Sequence, residues 1–269
     1  MSKDKYALLD TDFISKMYII QKDADNHLID RILELPRYQF YCHNQIRKEL
    51  NRSHVSGSAE WLEEKISIGR IRCYDDEDIL NEMETVYGTL APAMYVELLK
   101  TACEAYRTDY FHDNFEYFLK SNHQNFSKKN FLEKLNKAYD RIGIGHNLGE
   151  INTYVLLQMF SLMYGEQIYV FCSDDRNARN GIVSIGGARC VSVLSSFLRL
   201  KKERNFGLDD ADAYIQSWLG FCKEKNQTTF RIQENSKEKR VYKVACEQVM
   251  REIFEDKFEE LMTGNLKYK

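Results

Sequence analysis

The sequence predicts an α/β protein in which helices flank a parallel sheet. Short apolar runs alternate with helical patterns along the chain, which is typical of strands joined by helical crossovers. The composition also suits a helix-rich globular protein, since 43% of the 269 residues are hydrophobic and only 2 are proline. This composition excludes a disordered, collagen-like or low-complexity chain.

The chain opens with a predicted strand, an acidic turn and a helix. The apolar run over residues 6–9 stops at Asp10, and apolar residues at helical spacing follow from Phe13. Thr11 or Asp12 is the expected cap of this helix, because both side chains can accept a bond from a first-turn N–H.

The central part of the chain alternates between strands and helices. A second strand is predicted over residues 38–41, and a helix follows from about residue 44. Residues 57–141 are expected to be almost wholly helical, on the spacing of their apolar residues. Residues 167–172 form the clearest buried strand, and residues 188–193 are expected to form another.

The pattern changes after residue 206, which predicts a boundary between a domain over residues 1–205 and an extension over residues 206–269. This extension is expected to be a small α+β unit that serves interaction, homodimerisation or substrate binding. Its predicted elements, in order, are a helix over 208–222, strands over 228–233 and 240–244, and a helix over 245–262.

Charge and hydropathy limit the classes of function. The net charge is −3, so nucleic-acid binding would need a local basic patch. No stretch approaches the 18 or so apolar residues that span a bilayer, and no signal peptide is recognised, so a cytoplasmic protein without a membrane partner is expected. Neither the P-loop nor the dinucleotide-binding glycine pattern occurs.

Acidic residues follow two of the best predicted strands. Asp10 and Asp12 come after the first, and Asp174 and Asp175 come after the strand at 167–172. Ligands of parallel sheets bind beyond the carboxyl ends of the strands, so these side chains converge if the two strands are neighbours. Asp12, and Asp174 or Asp175, could alternatively be helix caps.

Two glutamates are expected to face the same edge from helices. Glu49 lies on the helix after the second strand, and Glu150 opens an apolar helix. A solvated position for Glu49, and a first-turn position favoured by the helix dipole for Glu150, are the structural alternatives. Four crowded carboxylates would repel one another without a cation, which favours a site for Mg²⁺ or Mn²⁺.

Four segments together resemble PIN-domain nucleases. They are Leu8-Leu9-Asp10-Thr11-Asp12-Phe13-Ile14, Ile46-Arg47-Lys48-Glu49-Leu50, Gly149-Glu150-Ile151-Asn152 and Phe171-Cys172-Ser173-Asp174-Asp175-Arg176-Asn177-Ala178-Arg179. The resemblance covers roughly residues 5–56 and 143–200. It implies a PIN-like fold with a helical insertion at about residues 75–141, and the tail after about 206 has no counterpart in a minimal domain.

The resemblance implies a metal-dependent ribonuclease that hydrolyses phosphodiester bonds. The catalytic residues would be Asp10, Glu49, Glu150 and Asp175, and the metal ligands Asp10, Glu150 and Asp175, with Asp174 as the rival of Asp175 and Asp12 in support. The expected substrate-binding residues are Arg47, Lys48, Ser173, Arg176 and Arg179.

Several functional alternatives stay open at this point. The resemblance implies a toxin, an RNA-processing enzyme or a defence effector that an inhibitory protein partner holds inactive. A DNA-directed nuclease and a non-catalytic PIN-like binding module are the alternatives, although four acids in place argue against the module. A phosphotransfer receiver or a phosphatase ranks low, because no convincing D-x-D-x-[TV] motif with a downstream lysine is present.

Overall fold

The protein is described by a computed structural model. It covers residues 5–106, 109–119, 127–143, 147–165, 167–172, 188–233, 241–255 and 267–268. These residues pack into two compact units, one built from residues up to 15 and from 37 to 192, the other from residues 16–36 and from 193 onwards. The predicted domain boundary at residue 206 stays a prediction, because packing alone does not define an independently folding domain.

A five-stranded sheet forms the centre of the first unit, in the order β5-β4-β1-β6-β7 with all neighbouring pairs parallel. Its strands are β1 (Lys5–Leu9), β4 (Tyr38–His43), β5 (Ile71–Tyr74), β6 (Ile168–Phe171) and β7 (Arg189–Val191). The predicted α/β class with a parallel sheet is therefore confirmed. Strand β5 corrects the expectation that residues 57–141 are almost wholly helical.

Helices account for most of the remaining structure. They are α1 (Thr11–Ile19), α2 (Leu28–Leu33), α3 (Asn44–Leu50), α4 (Ser58–Ser67), α5 (Asp76–Tyr87), α6 (Ala91–Tyr106), α7 (Tyr110–Leu119), α8 (Lys128–Ile142), α9 (Leu148–Tyr164), α10 (Val193–Arg204), α11 (Leu208–Glu224) and α12 (Cys246–Phe254). No helix of the described residues is long and apolar enough to cross a membrane.

Helix α9 is the central helix of the first unit. Eleven of its residues are buried, because it packs on β1, β4 and β6 with one side and on α5 and α6 with another. On the sheet below it, the rings of Tyr41 and Phe160 lie 4.7 Å apart. The ring of Phe160, near the end of α9, also lies 5.3 Å from that of Tyr6 at the start of β1, so the helix runs opposite to the strands and its start lies at their carboxyl ends.

The second unit contains two small antiparallel sheets. Strands β2 (Gln21–Asp23) and β3 (Asn26–His27) form a hairpin, while β8 (Thr229–Gln233) pairs with β9 (Val241–Ala245) and with β10 (Lys267–Tyr268). Strands β8 and β9 confirm the two strands predicted after residue 206. The predicted last helix is seen as α12, and residues 256–262 of that prediction lie outside the described residues.

Candidate functional site

The two acid-bearing strands are neighbours. Strands β1 and β6 pair in parallel, with Leu9 opposite Phe171 at their carboxyl ends. Asp10 follows β1 directly, and its backbone N–H donates to the carbonyl of Phe171 at 3.0 Å. The expected convergence of the two strand ends is confirmed, whereas Asp174 and Asp175 lie outside the described residues.

Asp10 is buried, with only 5% of its surface exposed. Its carbonyl accepts the N–H of Ile14 at 3.0 Å, which is the first bond of α1. Asp10 therefore occupies the cap position of this helix, and the expectation that Thr11 or Asp12 is the cap was wrong. The reason is that the strand ends one residue before the helix begins, so Thr11 and Asp12 already belong to its first turn.

The electrostatic surroundings of Asp10 are unfavourable to its charge. Burial raises the pKa of this carboxyl well above its ordinary value, and negative charge on Glu150, Asp12 and Glu49 raises it further, in that order. The backbone N–H of Thr11 acts in the opposite direction. The carboxylates of Glu150, Asp12 and Glu49 are therefore within electrostatic reach of Asp10 at one edge of the sheet.

Glu49 is held in a fixed position. The hydroxyl of Thr11 donates to Oε2 at 2.6 Å, and the backbone N–H of Gly149 donates to Oε1 at 2.9 Å. Burial raises the pKa of Glu49, while the bonds from Thr11, Gly149 and Gln45 partly offset this effect. The solvated position considered for Glu49 from sequence is thus not the one it adopts.

Gly149 allows this arrangement because it has no side chain. A Cβ atom there would lie 2.7 Å from Oε1 of Glu49 and 2.8 Å from its Cδ, closer than real Cβ atoms approach. The sequence shows the glycine beside Glu150 but gives no sign of this contact, which joins residues 100 positions apart.

Glu150 and Asp12 complete the acidic cluster, which we define as Asp10, Asp12, Glu49 and Glu150. Both are half-buried and lie in the first turns of α9 and α1, where the backbone N–H groups favour negative charge. The cap of α9 is Asn147, whose φ of +61° sets the direction in which the helix leaves the loop.

Tyr106 brings the predicted insertion to the acidic cluster. Burial raises the pKa of this phenol, and negative charge on Asp10 and Glu150 adds to the effect. Its ring also meets that of Tyr154 of α9 edge-on at 6.0 Å. Tyr106 was missed as a site residue because an aromatic residue at the end of a helix gives no signal beyond packing.

The cluster offers oxygen donors only, which is the chemistry that Mg²⁺ and Mn²⁺ prefer. Among the described residues, however, no group of three His, Cys, Asp or Glu side chains is arranged to hold a metal ion. The two candidate ligands from the loop after β6, Asp174 and Asp175, are not among those residues. The donor chemistry fits a divalent cation, and the described donors alone do not form a closed site.

The predicted substrate-binding residues fall into two groups. The guanidinium of Arg47 donates to both oxygens of Glu63, at 2.7 and 2.6 Å, and Lys48 is exposed on the same helix. Ser173, Arg176 and Arg179 lie outside the described residues. Arg47 is thus engaged within the chain, whereas Lys48 is exposed.

A second polar cluster at the same edge was not predicted. The carboxylate of Asp76, at the start of α5, accepts the hydroxyl of Tyr95 and lies 3.3 Å from the hydroxyl of Tyr139 and 3.4 Å from Nε2 of His43. Burial raises the pKa of Asp76, but the contacts with His43, Tyr95 and Tyr139 outweigh it, so that the pKa lies below its ordinary value. We call these four residues the Asp76 cluster.

No family model, curated protein or solved structure matches the chain.

Proposed function

We propose that the protein is a divalent-metal-dependent ribonuclease of the PIN type. The observation that supports this proposal best is the buried carboxyl of Asp10 at the carboxyl edge of a parallel sheet. Three further carboxylates act on it and disfavour its negative charge. Such an arrangement is costly as structure alone, because each negative charge destabilises its neighbours. It is favourable for a protein that takes up a hard cation there.

The proposed ligands of the cation are Asp10, Glu150 and Asp175. When bound, Mg²⁺ or Mn²⁺ supplies charge neutralisation at the phosphate and orientation of the attacking water. Glu49 keeps its orientation through Thr11 and Gly149, and its carboxylate is the group proposed to hold and orient a water molecule beside the phosphate. Asp12 adds negative charge that raises the affinity of the cluster for a cation.

The proposed substrate is RNA, held by cations that neighbour the cluster. Lys48 is one such cation, and Arg176 and Arg179 follow Asp175 in the sequence. Phosphate contacts of this kind position a strand without reading its sequence.

The test is cleavage of labelled single-stranded RNA and DNA by the purified chain, with Mg²⁺, Mn²⁺ or EDTA. We expect cleavage of RNA that requires the metal and that falls by more than about 100-fold in Asp10→Asn, since a direct ligand matters more than an outer-shell partner. Asp209→Asn is the matched control, because Asp209 is exposed in the first turn of another helix.

Calorimetric titration with Mn²⁺ separates the remaining outcomes. Binding that Asp10→Asn abolishes, together with cleavage of RNA, supports the proposal. Preferential cleavage of DNA would show that the substrate is DNA rather than RNA. A folded wild-type chain that neither binds Mn²⁺ nor cleaves either polymer would overturn the nuclease assignment.

A further inference from the structure

Two cysteines face each other on neighbouring strands of the five-stranded sheet. Cys42 of β4 and Cys73 of β5 are direct partners in the parallel register, so their side chains leave the same face of the sheet. Neighbouring strands lie about 4.8 Å apart. This spacing is inside the range of about 4.4–6.8 Å between the Cα atoms of disulfide-bonded cysteines.

The two thiols already interact. The interaction between them raises the pKa of the Cys42 thiol and lowers the pKa of the Cys73 thiol. The positive charge of Arg47 adds to the lowering of the pKa of Cys73. A positive group beside a thiol favours the thiolate, which is the reactive form of cysteine.

Accessibility differs between the two sulfurs in a way that assigns their roles. Cys42 is buried, whereas Cys73 is half-buried and lines an open cleft of about 600 Å³ beside the edge strand. A reagent from solution therefore meets Cys73 first. Cys42 lies behind it, in position to attack once Cys73 has reacted.

We propose that Cys42 and Cys73 form a reversible disulfide, with Cys73 as the attacking thiol and Cys42 as the resolving thiol. The oxidant is a low-molecular-weight disulfide of the glutathione type. The Cys73 thiolate attacks one sulfur of this disulfide, a mixed disulfide forms, and one small thiolate leaves. Cys42 then loses its proton to solvent and attacks the sulfur of Cys73, and the second small thiolate leaves. Two cysteine thiols are oxidised by two electrons, and the small disulfide is reduced to two thiols.

The other cysteines show why the assignment is specific to this pair. All seven cysteines are free thiols in the structure. Cys222 and Cys246 of the second unit also interact through their side chains, but both are buried and burial raises the pKa of Cys246. In both pairs the two thiols are thus close to each other. The open cleft and the positive charge of Arg47 are features of Cys73.

The test is oxidation of the full chain by glutathione disulfide, followed by alkylation of the remaining thiols and mass spectrometry. We expect two fewer alkylated cysteines, a peptide that joins Cys42 to Cys73, and full reversal by dithiothreitol. Cys42→Ser should stop at a mixed disulfide on Cys73, and Cys73→Ser should form neither product. Cys190→Ser is the matched control, since Cys190 is a half-buried strand cysteine of the same sheet, and it should behave as wild type.

Two outcomes would overturn the proposal. One is a wild-type chain whose mixed disulfide on Cys73 persists without passing to Cys42, or whose Cys42 and Cys73 both remain alkylated. The other is oxidation of Cys222 and Cys246 at the same rate as Cys42 and Cys73. Arg47→Gln adds a readout of mechanism, because loss of the guanidinium should slow the first step by about 10-fold through a smaller thiolate fraction.

Discussion

Asp10 and Asp76 lie at the same edge of one sheet and have opposite electrostatic surroundings. Asp10 follows β1 and faces three carboxylates, which together with burial raise its pKa. Asp76 follows β5 and faces two hydroxyls and an imidazole, which lower its pKa despite burial. The charged form of the carboxylate is thus destabilised at Asp10 and stabilised at Asp76, although both residues follow strands of the same sheet.

The difference separates a structural carboxylate from a candidate functional one. Asp76 has the donors that a buried charge needs, so the folded chain itself accounts for it. The charge on Asp10 is opposed rather than balanced, and residues in such surroundings concentrate at functional sites. The comparison also predicts whether the free energy of unfolding rises or falls in each variant that can test it.

The largest expected effect is the loss of stability in Asp76→Ala. This change removes the acceptor of the Tyr95 hydroxyl and the carboxylate 3.4 Å from Nε2 of His43, whereas Tyr139 keeps its bond to Oδ1 of Asn152, and we expect the free energy of unfolding to fall by about 3 kcal/mol. Urea unfolding at pH 7 measures it. Tyr139→Phe removes one hydroxyl, which lies 2.8 Å from Oδ1 of Asn152 and 3.3 Å from Asp76, and should cost about 1 kcal/mol. A loss in Asp76→Ala no greater than in Tyr139→Phe would contradict the role given to the carboxylate.

Gly149→Ala should damage the acidic cluster through Glu49. The added methyl group displaces the carboxylate of Glu49, which is the far end of a flexible side chain, so the cost is the loss of its bonds from Thr11 and Gly149, and we expect the free energy of unfolding to fall by about 1 kcal/mol. Gly220→Ala is the control within another helix, because no atom lies within 4 Å of the added methyl group. That control should be neutral or stabilising by up to about 1 kcal/mol. Equal effects in urea unfolding would argue against the close packing of Gly149 and Glu49.

Asp10→Asn should stabilise the metal-free chain. Removing the charge relieves the repulsion from Glu150, Asp12 and Glu49, and we expect a gain of about 1 kcal/mol in the free energy of unfolding, measured by urea unfolding in EDTA at pH 7. The same substitution at Asp76 should destabilise the chain. If both asparagine variants changed stability in the same direction, the contrast between the two aspartates would be lost.

The smallest expected effect is a change in the pH dependence of stability in EDTA. An unfolded Asp has a pKa of about 3.9. The folded pKa of Asp76 is lower, so its contribution is present above that pH and is lost as the pH falls through the folded pKa. The folded pKa of Asp10 is higher, so its contribution is present below about pH 3.9 and is lost as the pH rises through the folded pKa. We expect Asp76→Asn to reduce the fall in the free energy of unfolding at low pH, and Asp10→Asn to reduce the fall that occurs as the pH rises through the folded pKa of Asp10. Urea unfolding between pH 3 and 7 measures both effects.

The sequence was sufficient to predict the central strands and the acids that follow them. The runs before Asp10 and at residues 167–172 are continuous and apolar, as expected for strands buried on both faces. Strand β5 was missed because its four residues, Ile71–Tyr74, include an arginine and form a partly exposed edge strand, so no continuous apolar run marks them as it does in the equally short β6. Without such a run, four residues carry too little periodicity to be distinguished from helix.

The partners of the site residues were beyond the reach of sequence patterns. Asp76 stands in the acidic first turn of α5, where Asp75 and Asp78 form a capping box and any acid is explained by the helix end. Its actual partners come from residues 43, 95 and 139. The expected substrate role of Arg47 stays a prediction, and its ion pair with Glu63 could not be read from a spacing of 16 residues.

The bond between Gly149 and Glu49 has a consequence for the chain during its synthesis. At about 5–20 residues per second, the ribosome adds Gly149 about 5–20 s after Glu49, since 100 positions separate them. During that interval Glu49 lacks one of its two closest hydrogen-bond donors, and Glu150 has not yet been made. A nascent or prematurely terminated chain that ends before residue 149 therefore carries an incomplete set of carboxylates, so the acidic cluster is assembled only after most of the first unit has been translated.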